Sequence, residues 1–191
     1  MAQRECAVSI PKLYLLGFVS AVHFFLHMVL TRLCTPLAQY FPASVVIGQT
    51  NTDNAHDRLV SLGIMPRLKR DAGEEKFSFV VFSAPPSGSE DYTAEVEAAL
   101  KLWDGTGAFV FTSSTAVYDA ADGEPCDETT PQFKIGESPR ADRLLKAEEA
   151  VLGAGGCVVR LAGLYHSQVS VLRAKYLSLR LVTGSSESYT R

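Results

Sequence analysis

Small and hydroxyl-bearing residues follow three apolar runs of the sequence, and they are well suited to hold a ligand. The runs end in SAPPS (83–87), TSSTAVY (112–118) and LAGLY (161–165). Small side chains let a ligand approach the backbone closely, whereas Ser and Thr hydroxyls offer hydrogen bonds or cap a turn. The candidate ligand contacts in these runs are Ala84, Thr112, Ser113, Ala162 and Gly163.

A fourth segment, SPRADRLLKAEEAVL (138–152), predicts a helix that carries ionisable side chains. Ser138 is a typical N-cap residue, and Pro139 is favourable at the first helical position. Asp142 and Lys146 lie four residues apart on one face of this helix. That spacing allows an ion pair that contributes about 0.3 to 0.5 kcal/mol.

The elements that must position these residues follow from the alternation of apolar runs. The sequence predicts strands over 43–50, 77–87, 107–118 and 157–165, and helices over 55–64, 91–103 and 138–152. Short apolar strands separated by helices indicate an α/β fold with a doubly wound parallel sheet. Ligands bind beyond the carboxyl ends of the strands in such sheets, which is where the candidate residues fall.

The order of the motifs resembles a known superfamily. FVFTSSTAVY, then a helix with Lys146 followed by AEEAVL, then VVRLAGLY is similar to the extended short-chain dehydrogenases/reductases of the NAD-dependent epimerase/dehydratase group. The match is best to atypical members whose helix begins with SPR and lacks the tyrosine, and it covers about residues 29–166. The resemblance implies an incomplete Rossmann-like fold that binds NAD or NADP, with weak or absent oxidoreductase or isomerase activity.

The resemblance also implies roles for individual residues. Ser114 matches the hydroxyl that orients the substrate, and Lys146 matches the lysine that holds the nicotinamide ribose. Asp142 falls on the family's tyrosine, and an aspartate beside a lysine is ionised at neutral pH and donates protons poorly. Tyr118 either supplies the phenol instead or is a packing residue. The catalytic candidates are Ser114, Tyr118 and Lys146, without the family's usual proton route.

The phosphate-binding end of the expected site departs from the family pattern. The family has a glycine-rich turn after the first strand, because glycine lets the backbone reach the pyrophosphate. If 13–16 is that strand, Gly17 stands at the turn but Val19 and Val22 replace the later glycines. Alternatively, the family likeness starts at Val29 and the loop has been replaced.

The second predicted strand leaves the choice of cofactor open. Thr50, near its end, completes the cofactor candidates together with Gly17 and Lys146. No acid follows this strand immediately, and an acid there would favour the ribose hydroxyls of NAD. Asp53 and Arg58 come a few residues later, so both NAD and NADP remain possible.

The apolar run 13–30 sets the N-terminal part of the chain apart. We favour a buried strand followed by a helix, while a membrane span that anchors the protein and a targeting segment are the alternatives. The predicted organisation is an apolar N-terminal segment (1–28), a dinucleotide-binding domain (29–166), and a basic helix to about Val182 with a polar tail (167–191). The resemblance implies that the family's substrate-binding portion, which would follow at this point, is lacking.

Charge and cysteine spacing narrow the class of protein further. The net charge is −3, and Lys and Arg are not clustered with aromatic residues, so nucleic acid is not an expected partner. The cysteines lack the spacing of a disulfide framework or a metal site, which indicates an intracellular protein without a metal. The expected partners are a dinucleotide and, if the protein is active, a small-molecule substrate. A non-catalytic Rossmann-like binding module is the alternative function.

Overall fold

The computed structural model describes residues 12–16, 45–87, 89–120, 127, 129–161 and 179–183 of the 191-residue chain. These residues form one seven-stranded sheet with helices on both faces. The elements in chain order are β1 (Lys12–Leu16), β2 (Val45–Thr50), α1 (His56–Ser61), β3 (Met65–Leu68), β4 (Phe77–Phe82), α2 (Tyr92–Leu100), β5 (Trp103–Ser114), α3 (Pro139–Gly153), β6 (Cys157–Leu161) and β7 (Leu179–Thr183). Short 3-10 helices span Lys69–Asp71 and Thr115–Val117.

The strand order confirms the predicted Rossmann-like α/β fold. The sheet runs β3-β2-β1-β4-β5-β6-β7, with β1 to β6 parallel and β7 antiparallel at the edge. Leu13 pairs in register with Val46 on one side and with Phe79 on the other, so 13–16 is the first strand, as one of the two alternatives predicted. The order reverses between β1 and β4, which is where open α/β sheets leave a crevice.

The two faces of the sheet pack different helices. On one face, α2 and α3 cover a large apolar cluster centred on Val80, Phe109 and Phe111, all fully buried. On the other face, Leu59 of α1 packs with Val46 at the β2 end of the sheet. Burial of apolar area on both faces is the main stabilising contribution in this kind of fold.

Two glycines set the position of α1 against β2. A Cβ on Gly48 would lie 2.9 Å from Cγ2 of Ile64, so glycine lets the turn after α1 pack closely on the strand. Gly63 has a φ of 75° and follows the end of the helix. The amide of Ile64 then donates to the carbonyl of Leu59 at 2.9 Å, which closes the helix end.

The end of α2 differs from the sequence prediction. The predicted helix 91–103 included Trp103, but α2 ends at Leu100 and Trp103 begins β5. A turn at Lys101 and Leu102 separates them, and the amide of Phe77 donates to the carbonyl of Leu102 at 2.8 Å. The indole Nε1 of Trp103 donates to the carbonyl of Ser78 at 3.2 Å, so the tryptophan is held by β4 rather than by the helix.

Two edge strands were not predicted. β3 is only four residues long and contains Pro66, so its sequence shows no strand-like alternation of apolar and polar residues. The proline is tolerated because β3 is an edge strand. The prediction of a helix reaching Val182 was wrong for residues 179–182, which belong to β7. The register of β7 is antiparallel, with Leu179 opposite Leu161, and backbone pairing with β6 outweighs a weak helical pattern.

The apolar N-terminal run is described only in part. Residues 13–16 belong to the central strand β1, which agrees with the strand in the favoured interpretation of a strand followed by a helix. The remainder of the run, 17–30, lies outside the described residues. Within the ranges that the structure covers, no helix has both the length and the apolar character needed to cross a membrane. β1 and β7 belong to the same sheet as the strands between them.

Candidate functional site

A buried polar cluster joins β5, α3 and β6 beneath the carboxyl edge of the sheet. Ser113 Oγ donates to Glu148 Oε1 at 2.5 Å. Arg160 donates from Nε to both Glu148 oxygens, at 3.1 and 3.2 Å, and from Nη2 to Oε2 at 2.5 Å. These three residues are 5%, 2% and 4% exposed. Burial alone would lower the pKa of Arg160, but its hydrogen bonds to Glu148 and Tyr118 and their charges raise it above its usual value.

Tyr118 and Gln132 extend this cluster to the chain that follows β5. The guanidinium carbon of Arg160 lies 5.0 Å from the centre of the Tyr118 ring, and Arg160 Nη2 donates to Gln132 Oε1 at 3.0 Å. Tyr118 and Gln132 also form an antiparallel bridge, flanked by the hydrogen bonds Asp119 N to Pro131 O and Phe133 N to Val117 O. This short ladder brings the two ends of residues 120–130 together, and we call it the neck.

The structure brings Tyr118 and the β5 hydroxyls to one region of the molecule. Ser114 ends β5 and is half-buried, and its Oγ accepts from the amide of Ala116 at 3.2 Å. Thr112 Oγ1 donates to the carbonyl of Phe82 at 3.2 Å, so this hydroxyl and that of Ser113 are both engaged inside the protein. Ser114 therefore has the most accessible of the three hydroxyls.

Lys146 lies apart from these residues. It is exposed, and it lines a surface cavity between the first turns of α2 and α3, together with Asp91 and Arg143. Successive helical residues are rotated by about 100°, so Lys146 points about 160° away from Glu148, which faces the sheet. The side chains of Lys146 and Glu148 thus leave α3 in nearly opposite directions.

Asp142 braces the loop before α3 rather than pairing with Lys146. Both of its carboxylate oxygens accept from the amide of Gly136, at 2.9 and 3.1 Å. Gly136 has a φ of 103°, which favours glycine at this turn. In the described part of the chain, no ion pair joins Asp142 to Lys146. The predicted N-cap is confirmed, because Ser138 Oγ accepts from the amide of Ala141 at 3.4 Å.

Thr50 and Ala84, the candidates near the reversal of strand order, are both buried. Thr50 Oγ1 lies 2.8 Å from His56 Nε2, which ties the end of β2 to the start of α1. The carbonyl of Ala84 accepts from the Tyr92 hydroxyl at 2.7 Å. Burial, and secondarily the charge of Glu95, raises the pKa of Tyr92 above its ordinary 10.0, so this phenol stays protonated in the folded protein.

Replacing Tyr92 by phenylalanine tests this bond. At pH 8 we expect a loss of about 1 kcal/mol in the free energy of unfolding, the usual net value of a buried hydrogen bond. Above pH 10 the unfolded phenol ionises while the folded one does not, so wild-type stability falls by about 1.4 kcal/mol per pH unit and the difference between the two proteins shrinks. Urea unfolding between pH 8 and 11 measures both effects. A pH-independent difference would contradict the assignment.

A cavity of about 290 Å³ opens beside α2, and we call it the α2 cavity. It runs along α2 from the carboxyl ends of β2, β3 and β4 to Leu102, whose carbonyl accepts from the amide of Phe77 at the start of β4. Its lining includes Gln49 of β2 and Asn51 just after it, Lys69 and Gly73 after β3, Phe82 of β4 and Ala84 just after it, and Glu95, Ala98 and Ala99 of α2. Lys69 Nζ and Glu95 Oε1 are 3.2 Å apart within this lining.

Sequence reasoning missed Glu148 and Arg160. The available signal was their position: Glu148 lies on the apolar stripe of α3 between Leu144 and Val151, and Arg160 interrupts the apolar strand CVVRL. Opposite charges at buried positions of consecutive elements predict a buried ion pair. Three predicted cofactor contacts, Gly17, Ala162 and Gly163, lie outside the described residues.

Comparison with known proteins supports the fold. No protein-family model and no curated protein matches the chain. A functionally unknown conserved protein from Silicibacter pomeroyi DSS is 25% identical, with a TM-score of 0.53 over 80% of this chain and 53% of that chain. A nucleoside-diphosphate-sugar epimerase from Pseudomonas aeruginosa is 12% identical, with a TM-score of 0.46 over 75% of this chain and 48% of that one. The chain spans about half the length of these proteins.

Proposed function

We propose that the chain is a dinucleotide-binding protein that takes NAD or NADP at the carboxyl ends of its parallel strands, with weak or absent oxidoreductase or isomerase activity. The reversal of strand order between β1 and β4, with the α2 cavity beside it, is the observation that carries the proposal. Dinucleotides bind in the crevice that such a reversal creates.

The residues at this edge fit the adenosine half of the cofactor. Asn51 directly follows β2, where the adenosine ribose is expected, and Gln49 also lines the α2 cavity. Ala98 and Ala99 are small enough to leave space for a planar base against α2. When bound, the nicotinamide would accept or donate a hydride. Ser114 is the proposed contact for the substrate beyond β5.

The residues that could transfer a proton to a substrate are poorly placed to do so, which favours weak or absent activity. Of the two residues that match the family's catalytic helix, Lys146 is exposed at the cavity between α2 and α3, and Asp142 accepts from the amide of Gly136. Tyr118 is 6% exposed with its ring against Arg160, so its phenol has little access to a substrate. These contacts also support a non-catalytic binding module as the second candidate function.

Isothermal titration of the purified full chain with NAD, NADH, NADP and NADPH tests the binding proposal. We expect a dissociation constant of about 100 μM or lower for at least one of them, equivalent to about −5.5 kcal/mol. No heat of binding with any of the four, from a protein that unfolds cooperatively, would contradict it. Turnover of a panel of nucleoside-diphosphate sugars by the unmodified protein would exclude the non-catalytic module.

A cavity-filling variant locates the binding site. Ala98 is exposed at the cavity wall, so Ala98→Phe places a ring in the α2 cavity without disturbing the core. We expect dinucleotide binding to weaken at least about tenfold, because the ring occupies the space of the base. Ala94→Phe, one turn earlier on the same exposed helix face and not part of the lining, is the matched control and should bind as wild type does. Equal affinities of the two variants would place the site elsewhere.

A further inference from the structure

We infer that residues 69–76 form a movable strap beside the α2 cavity and that the ion pair between Lys69 and Glu95 holds this strap closed. The strap joins β3 to β4, and Lys69, Ala72 and Gly73 of the strap line the cavity. Opening of the strap is a property of the free protein, whereas its effect on the entry of a dinucleotide rests on the proposed function.

The strap is a short connection between two parallel strands. It leads from β3 at the edge of the sheet, past β2 and β1, to β4, in the eight residues between Leu68 and Phe77. Such crossovers usually need a dozen or more residues and contain a helix that packs on the sheet. The strap contains only the 3-10 turn Lys69–Asp71, so no helix fills the space between it and α2.

The strap forms the less tightly packed wall of the α2 cavity. All of its residues are exposed, and a Cβ added at Gly73 would meet no atom within 4 Å. The opposite wall belongs to the core, because Phe82, Ala84 and Ala99 are 4%, 4% and 3% exposed. Segments with few buried apolar contacts open at a lower free energy than the core. The cavity thus has one fixed wall and one movable wall.

The two ends of the strap are held by different partners. At the β4 end, Arg67 Nη1 lies 3.8 Å from Glu75 Oε2, and the Arg67 guanidinium carbon lies 5.5 Å from the centre of the Phe77 ring, so this end is tied to the sheet. At the β3 end, Lys69 Nζ lies 3.2 Å from Glu95 Oε1 of α2. Lys69 and Glu95 both line the cavity, so their ion pair joins the movable wall to the fixed one.

Limited trypsin digestion of the full-length protein without ligand tests the strap, because cleavage of a folded chain follows the population of locally opened states. Glu95→Gln and Lys69→Met each break the ion pair. We expect both to accelerate cleavage after Arg70 by about 1.5-fold to 5-fold, the range for an exposed ion pair, relative to cleavage of a synthetic peptide of the same sequence. The two variants change the net charge in opposite directions, so charge alone does not explain a shared acceleration.

A matched variant and a change of salt complete this experiment. Glu97→Gln alters an exposed acid of α2 outside the cavity lining and should be cleaved as wild type is. Raising NaCl from about 50 to 500 mM screens the ion pair, so wild-type cleavage after Arg70 should rise toward the rate of Glu95→Gln, whose own rate should stay constant. Equal rates for wild type and both pair variants, or acceleration in only one of them, would overturn the inference.

Stopped-flow binding of NADH separates the strap from the proposed function. If the strap controls entry, Glu95→Gln and Lys69→Met both raise the association rate, whereas electrostatic steering of the anionic cofactor moves the two rates in opposite directions. Binding of NADH with association rates that do not rise in both variants would overturn the role of the strap in entry and leave dinucleotide binding standing. Faster cleavage of the strap in both variants, with no binding of any dinucleotide, would overturn the proposed function and leave the strap standing.

Discussion

Replacing Arg160 by methionine is expected to lower the free energy of unfolding by about 3 to 5 kcal/mol, the cost of leaving one charge of a buried ion pair without its partner. Glu148 is 2% exposed and accepts three hydrogen bonds from Arg160, which the variant removes together. Methionine fills much of the same volume, so the effect reports the charge rather than a cavity. Urea-induced unfolding at pH 7 measures it.

Two further variants make this prediction specific. Arg140→Met removes an exposed arginine from the first turn of α3 and should change stability by less than about 0.5 kcal/mol. The double replacement Glu148→Leu with Arg160→Met removes both charges and should be more stable than Arg160→Met alone, because no unpaired carboxylate remains. A double variant no more stable than the single one would show that the ion pair itself, rather than the unpaired charge, holds β5, α3 and β6 together.

Replacing Phe111 by alanine is expected to cost a similar amount, about 3 to 5 kcal/mol, by creating a cavity in the larger core cluster. Phe111 is fully buried, and its ring centroid lies 5.9 Å from that of Phe82 and 6.1 Å from that of Tyr92. The three rings connect the middle of β5 to the end of β4 and the first turn of α2. Loss of Phe111 therefore also loosens the contact between Tyr92 and Ala84 that forms part of the candidate site.

Phe79 provides the matched control for that experiment. It lies on β4 and is 40% exposed, so Phe79→Ala removes a ring of the same size from a strand of the same sheet. We expect its cost to be about 1 kcal/mol, because much of the ring already contacts solvent. If the two alanine variants were equally unstable, the core would not be centred on the face covered by α2 and α3.

The sequence predicted the interior of the fold well because local and tertiary preferences agree there. The runs that became β2, β4, β5 and β6 each contain an apolar stretch, as buried parallel strands require, and Ser138 with Pro139 marked the start of α3. The edges were missed for a physical reason: β3 and β7 are short and are defined by pairing with a neighbour, which no local pattern encodes.

The candidate site was predicted less completely, because helix rotation decides which side chains reach it. The family resemblance assigned Lys146 and Ser114 to one site, whereas the buried stripe of α3 turns Glu148, which was not predicted, toward the sheet and leaves Lys146 exposed beside α2. A two-residue difference on a helix changes the direction of a side chain by about 200°. The α2 cavity was also not predicted, because its lining comes from segments far apart in the sequence.

The neck affects where residues can be inserted into this protein. Its backbone hydrogen bonds from Asp119 to Pro131 and from Phe133 to Val117, with the Arg160–Gln132 contact beside them, hold the two chain segments of the neck together. The entropy of closing a loop rises only slowly with its length, so residues can be added there at little thermodynamic cost. Position 120–130 is accordingly a natural place for grafting a peptide epitope or a reporter tag, with the sheet and the α2 cavity left intact.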